Sequence, residues 1–170
     1  MWWSERRWRR GAWSMLVVLG SVLNAGCGFH LRGDLSYPPA LSVTYIQADD
    51  HYTPFYRKLK AALRDGGLRV TSNPAEAGGV IRILHDETSQ RVLSVSARNT
   101  PVEYEVYYIL RYAVDMGGRE ALPPQQLSLS RSYNYDETAV LGKRAEADQL
   151  RDSLAADMVG NVTRRLSLLQ

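Results

Sequence analysis

The sequence predicts an α+β fold: a two-layer sandwich with two helices packed on one face of a four-stranded mixed sheet, in the order β-α-β-β-β-α. Three observations carry that expectation. Val102, Tyr104, Val106, Tyr108, Leu110, Tyr112, Val114 and Met116 fill every second position of one segment, the period of a strand with one apolar face. Phe55, Leu59, Ala62 and Leu63 recur at helical spacing. So do Leu150, Leu154, Met158, Val162, Leu166 and Leu169, and a helix with such a stripe buries it against a sheet or another helix.

The elements follow in chain order. Residues 41–48, LSVTYIQA, are rich in β-branched and aromatic side chains and read as the first strand. Thr53-Pro54 supplies a cap followed by proline at the first helical position, and Gly66-Gly67 ends that helix. Residues 80–84 start a second strand, with a break expected at His85-Asp86-Glu87 and a continuation over 91–97. Arg98-Asn99-Thr100-Pro101 has turn chemistry. The long alternating strand comes next; its second face is mixed, with Glu103, Glu105, Tyr107, Ile109, Arg111, Ala113 and Asp115. Gly117-Gly118 and Pro123-Pro124 are expected to bracket a turn into a fourth strand over roughly 125–135. The last helix begins shortly after Asp136.

The first 26 residues read as a leader outside this fold. Arg6, Arg7, Arg9 and Arg10 precede an uncharged apolar stretch from Ala12 to Gly26, the layout of a secretory signal peptide. The stretch is shorter than the roughly 20 residues of a spanning helix. Arginines ahead of it hold that end in the cytoplasm and direct the rest outward. Ala25-Gly26-Cys27 resembles the lipobox of bacterial lipoproteins, cut before a cysteine that becomes diacylated, although Asn24 stands where leucine is usual. Gly28, in place of aspartate, implies sorting to the outer membrane. The expected organisation is a cleaved signal peptide over 1–26, a lipidated N-terminus and linker over 27–40, and a single α/β domain over 41–170. Each buried CH₂ of an acyl chain contributes about 0.8 kcal/mol, so several chains together make a firm tether to the membrane. Cys27 is the sole cysteine, which rules out an internal disulfide.

Charge and motifs then exclude several functions. The chain has 21 Lys+Arg and 18 Asp+Glu, but the leader holds four arginines and one glutamate. The 144 residues from Cys27 onward therefore carry 17 of each. A neutral domain gives no global attraction to nucleic acid, so any anion site is local. His30, His51 and His85 lie far apart, and no close ligand set marks a metal. Serines are present, at Ser94, Ser96 and Ser128 among others, but without a GxSxG elbow, and the glycines form no phosphate loop. The residues read as a binding or assembly protein without enzymatic activity, metal or cofactor.

Cys27-Gly28-Phe29-His30-Leu31-Arg32 resembles the opening of the LptE family of lipopolysaccharide-assembly lipoproteins. Weaker matches follow in order: Arg98-Asn99 with Glu103-Tyr104, then Tyr133 to Asp136, then Ala139 to Lys143. The resemblance implies an outer-membrane lipoprotein, lipid-anchored on the periplasmic side, that sits in the lumen of the large β-barrel LptD. It implies that the chain assists the assembly of that barrel, plugs it, and binds lipopolysaccharide on its way to the outer leaflet. It also implies two helices on a four-stranded sheet. Arg98 and Lys143 match positions where the family carries basic residues associated with lipopolysaccharide binding. On the residues alone, Arg98 sits in a turn where a guanidinium meets phosphate bidentately. Lys143 and Arg144 sit near a helix start, where cations oppose the dipole by about 0.3–1 kcal/mol. Arg91 is a third candidate. The mixed face with Tyr107 and Ile109 is a candidate surface for the barrel.

Three other readings remain open at this level. One is a generic periplasm-facing lipoprotein that binds another ligand, such as peptidoglycan or a small molecule. Another is an enzyme with dispersed residues and His85 or Asp86 as general base. The last is a protein that keeps its N-terminal segment as an anchor.

Overall fold

The computed structural model describes residues 36–169. Its elements are β1 (Val43–Gln47), α1 (Pro54–Asp65), β2 (Arg69–Thr71), β3 (Gly79–Val95), β4 (Pro101–Met116), β5 (Arg119–Asn134) and α2 (Val140–Ser167), with 3-10 turns at Pro39–Leu41, Pro74–Glu76 and Glu137–Ala139. The α+β class and the two helices agree with the sequence expectation, but the sheet has five strands, not four. Its order is β2-β1-β3-β4-β5. β1 runs parallel to both β2 and β3, and β4 runs antiparallel to both β3 and β5. The extra strand, β2, is three residues long, too short to show an alternating pattern.

Two further boundaries differ from the sequence reading. β3 is continuous through His85-Asp86-Glu87, with a register shift between Ile83 and His85. The bulge exchanges the faces of the strand: Ile81 and Ile83 point to the core before it, and Asp86 points there after it. Pro123-Pro124 lies inside β5 and not in a turn. An edge strand tolerates proline because one side of it has no ladder to donate to. The β4–β5 connection is only Gly117-Gly118, with φ of 57° and 76°, the two left-handed positions of a tight hairpin that glycine occupies without strain.

One face of the sheet carries the core. Val106, Tyr108, Leu110, Tyr112 and Val114 of β4 pack with Phe55, Leu59 and Leu63 of α1 and with Leu154, Met158, Val162 and Leu166 of α2, all buried. The two helix stripes and the strand alternation are therefore the three surfaces of one apolar cluster. α1 starts as the sequence predicts: the Thr53 hydroxyl accepts from the Tyr56 amide, and Pro54 occupies the first turn.

The start of α1 is also bolted to the sheet. Thr53 Oγ1 donates to Asp86 Oδ2 at 2.6 Å, and the buried Tyr108 hydroxyl donates to Asp86 Oδ1 at 2.6 Å. The same hydroxyl accepts from the Phe55 amide at 3.3 Å. Burial, and then the bond to Asp86, push the Tyr108 phenol far above its ordinary range, so it stays neutral. The bulge in β3 is what brings Asp86 to this position.

Candidate functional site

β4 begins, β5 ends and α2 begins at the same end of the sheet. Register makes Tyr104 the cross-strand partner of Tyr133. Their rings stack with centroids 5.9 Å apart, and Tyr135 meets Tyr104 edge-on at 5.1 Å. The first three turns of α2 stand over these rings. Between them lies a cleft of about 310 Å³ lined by Tyr104, Tyr133, Tyr135, Lys143, Arg144 and Arg151, among others.

Its cations differ in how far they are engaged. Lys143 Nζ lies 2.9 Å from Glu146. Arg151 bonds Asp148 at 2.5 Å and the Gln90 side chain at 2.8 Å. Arg144 is exposed and forms no ion pair among the described residues. α2 has no side-chain cap at its start; Ala139 occupies that position. Uncapped amides and two cations at one helix start favour an anion from outside. Burial raises the Tyr133 phenol, which stays a neutral hydrogen-bonding group on the floor.

Arg98 does not line this cleft, but the structure places it at the same end, in the turn joining β3 and β4. That turn is well fixed. Ser96 N donates to Thr100 O at 2.8 Å, the Ser96 hydroxyl receives the Arg98 and Thr100 amides, and Asn99 adopts φ of 59°. The exposed Arg98 side chain thus projects from an ordered support. Exposed apolar side chains gather here as well: Val92, Leu93, Val95 and Val102 near the hairpin tip, and Val140 and Leu141 at the start of α2. Cations, aromatic rings and exposed aliphatic groups at one end suit an amphiphile with an anionic head.

Other candidates fare differently. Arg91 is on the opposite face of the sheet, 2.6 Å from Glu105 and over the Tyr107 ring at 5.7 Å. The Ser130 hydroxyl, then Arg91, hold the Glu105 carboxyl below its ordinary range. Tyr107 also donates to Glu87 at 3.1 Å. On the mixed face expected to offer Tyr107 and Ile109, the Tyr107 ring and hydroxyl are thus engaged by Arg91 and Glu87. His85 and Asp86 line a shallow cavity of about 220 Å³ with Asp49, Asp50 and Thr53. Both Asp86 oxygens are held in the α1 anchor, however, and His85 Nε2 faces Glu87 at 3.1 Å. Cys27 lies outside the described residues.

The sequence reading missed Tyr104, Tyr133, Tyr135 and Arg151. Only strand register places the first two together, and the available signal was the Tyr133-Asn134-Tyr135 spacing, which puts both rings on one face.

Comparison with known proteins agrees with this architecture. The sequence model of the LptE family, described as lipopolysaccharide-assembly, matches residues 41–166. The LPS-assembly lipoprotein LptE of Yersinia enterocolitica is 26% identical over 153 residues, 89% of this chain and 73% of its own length. That of Pectobacterium atrosepticum is 25% identical over 159 residues, 93% of this chain and 86% of its own. The solution structure of lipoprotein B from Nitrosomonas europaea has a TM-score of 0.69 at 25% identity, covering 82% of this chain and 90% of that one. A minor lipoprotein from Acinetobacter baumannii shares the fold, with a TM-score of 0.63 at 20% identity over 76% of this chain and 93% of its own. With the family match running from the turn before β1 to the last turns of α2, this chain belongs to the LptE family.

Proposed function

We propose that this chain is an outer-membrane lipoprotein of lipopolysaccharide transport, anchored by a diacylated Cys27 and facing the periplasm. In this reading it partners an LptD-like β-barrel, helps it assemble, plugs its lumen and binds lipopolysaccharide during delivery to the outer leaflet. Residues 1–26 are removed, 27–40 form the lipidated start and linker, and the domain that follows does the binding. Family membership supports an assembly role over an enzymatic one.

The observation that carries the binding role is the cleft where three tyrosines meet Lys143, Arg144 and Arg151 beside an exposed aliphatic tip. A glycolipid presents phosphates to the cations, sugar rings to the tyrosines and acyl chains to the tip. Arg98, on its ordered turn, adds a further phosphate contact. Purified full-length protein tests this by titration with lipopolysaccharide. Arg98→Asp with Lys143→Asp is expected to weaken binding at least tenfold, with an unchanged circular-dichroism spectrum. Unchanged affinity in that variant refutes the assignment. A lipoprotein that takes peptidoglycan or a small soluble ligand is then the better account.

A further inference from the structure

A second groove lies on the other side of the domain and shares no lining residue with the cleft above. It arises from strand lengths. β2 stops at Thr71, opposite Tyr45, whereas β1 continues to Gln47. The β1 edge beyond Tyr45 is left uncovered beside α1, and a space of about 360 Å³ opens there, lined by that helix from Tyr56 to Arg64 in its last turn. Tyr45, His51, Tyr56, Lys60, Arg64 and Thr71 line it.

These groups are arranged as a ring-binding surface with cations beside it. The His51 ring stacks on Tyr56 with centroids 4.6 Å apart and 24° between planes. Lys60 Nζ stands 6.0 Å from the centre of the Tyr56 ring. Lys60 and Arg64 are four residues apart on α1, hence on one helix face. No carboxylate lines the groove, and neither cation forms an ion pair among the described residues. The Lys143 cleft differs on both points, since it contains Asp148 and two of its three cations are paired. The groove is thus the less neutralised of the two. Aromatic faces favour the apolar face of a sugar ring, and an unpaired ammonium with a guanidinium favours phosphate.

We propose that this groove is a second binding site whose ligand is a phosphorylated sugar, either free or as the headgroup of a glycolipid. The ring rests against His51 and Tyr45, and the phosphate sits between Lys60 and Arg64. The site goes beyond the proposed function, because it needs neither the barrel nor the Lys143 cleft.

Aromatic-ring NMR of the full-length protein in detergent tests it, with N-acetylglucosamine 1-phosphate as probe and N-acetylglucosamine and inorganic phosphate as controls. The expected result is that the phosphorylated sugar shifts the Tyr45, His51 and Tyr56 ring signals at a concentration at least tenfold below either control. Lys60→Gln with Arg64→Gln, both outward-facing, is expected to abolish the shifts, whereas Lys143→Asp leaves them intact. Lipopolysaccharide micelles separate the two sources. Shifts with micelles but not with the soluble probe assign the site to a glycolipid headgroup, and shifts with both extend it to free sugar phosphates. The proposal is overturned by equal shifts from inorganic phosphate, by shifts confined to Tyr104, Tyr133 and Tyr135, or by no shift with either source. Failure of the Arg98 and Lys143 prediction leaves these readouts untouched, so the two claims fall separately.

Discussion

Replacing Tyr108 with phenylalanine removes one oxygen from the core and keeps the ring. The lost hydroxyl donates to Asp86 at 2.6 Å and accepts from the Phe55 amide at 3.3 Å. A hydrogen bond to a charged group contributes about 1.5–3 kcal/mol, and a buried partner left unsatisfied loses its compensation for desolvation. The long Phe55 bond adds little. The ring stays in place, so no cavity term enters, and the expected loss is about 2 kcal/mol. With a urea slope of about 1–3 kcal/mol/M, the unfolding midpoint falls by about 1 M. A second substitution sharpens the test. Thr53→Ala costs about 1 kcal/mol through loss of the cap, and Thr53 shares Asp86 with Tyr108. The double variant is therefore expected to depart from additivity by at least about 0.5 kcal/mol. A Tyr108→Phe midpoint within about 0.2 M of the parent, or strict additivity of the pair, refutes the claim that Asp86 bolts α1 to the sheet.

Two further outcomes follow from local geometry. A Cβ on Gly79 runs into the Leu41 side chain and lies 3.4 Å from the Ala40 carbonyl; Gly79→Ala is expected to cost about 1–3 kcal/mol by overpacking, read by urea denaturation. The Thr138 hydroxyl and amide, and then Lys143, hold the Asp136 carboxyl below its ordinary range. A depressed carboxylate stabilises the fold above its unfolded pKa of about 3.8, and that contribution is lost as pH falls through the lower folded value. The Thr138 amide resonance is expected to stay in its bonded position at pH 5 and to move only well below pH 4. Movement between pH 5 and 6 contradicts the assignment.

The parts of the fold legible in the sequence were those whose burial repeats. β4 shows its alternation because one face is core from Val106 to Val114, and α2 shows its stripe for the same reason. What stayed hidden depends on partners distant in sequence. β2 is three residues held by pairing to β1, with no face of its own to bury. His85-Asp86-Glu87 looked like an interruption because a bulge changes the period while the strand continues. Pro123-Pro124 looked like a turn, and its place on an edge depends on strand order. The site divides in the same way. Arg98 and Lys143 were singled out by their setting in a turn and at a helix start, together with the family resemblance. The tyrosine floor needed the register that pairs Tyr104 with Tyr133.

The proposed function makes this LptE-family chain the partner of a large outer-membrane β-barrel. The most direct measurement is co-purification of tagged protein from detergent-solubilised outer membranes at stringent salt, with partners identified by mass. A stable one-to-one complex with a single large β-barrel is expected, with a tagged chain whose N-terminus is an acylated Cys27. A chain that purifies alone, or that begins at Met1, contradicts it.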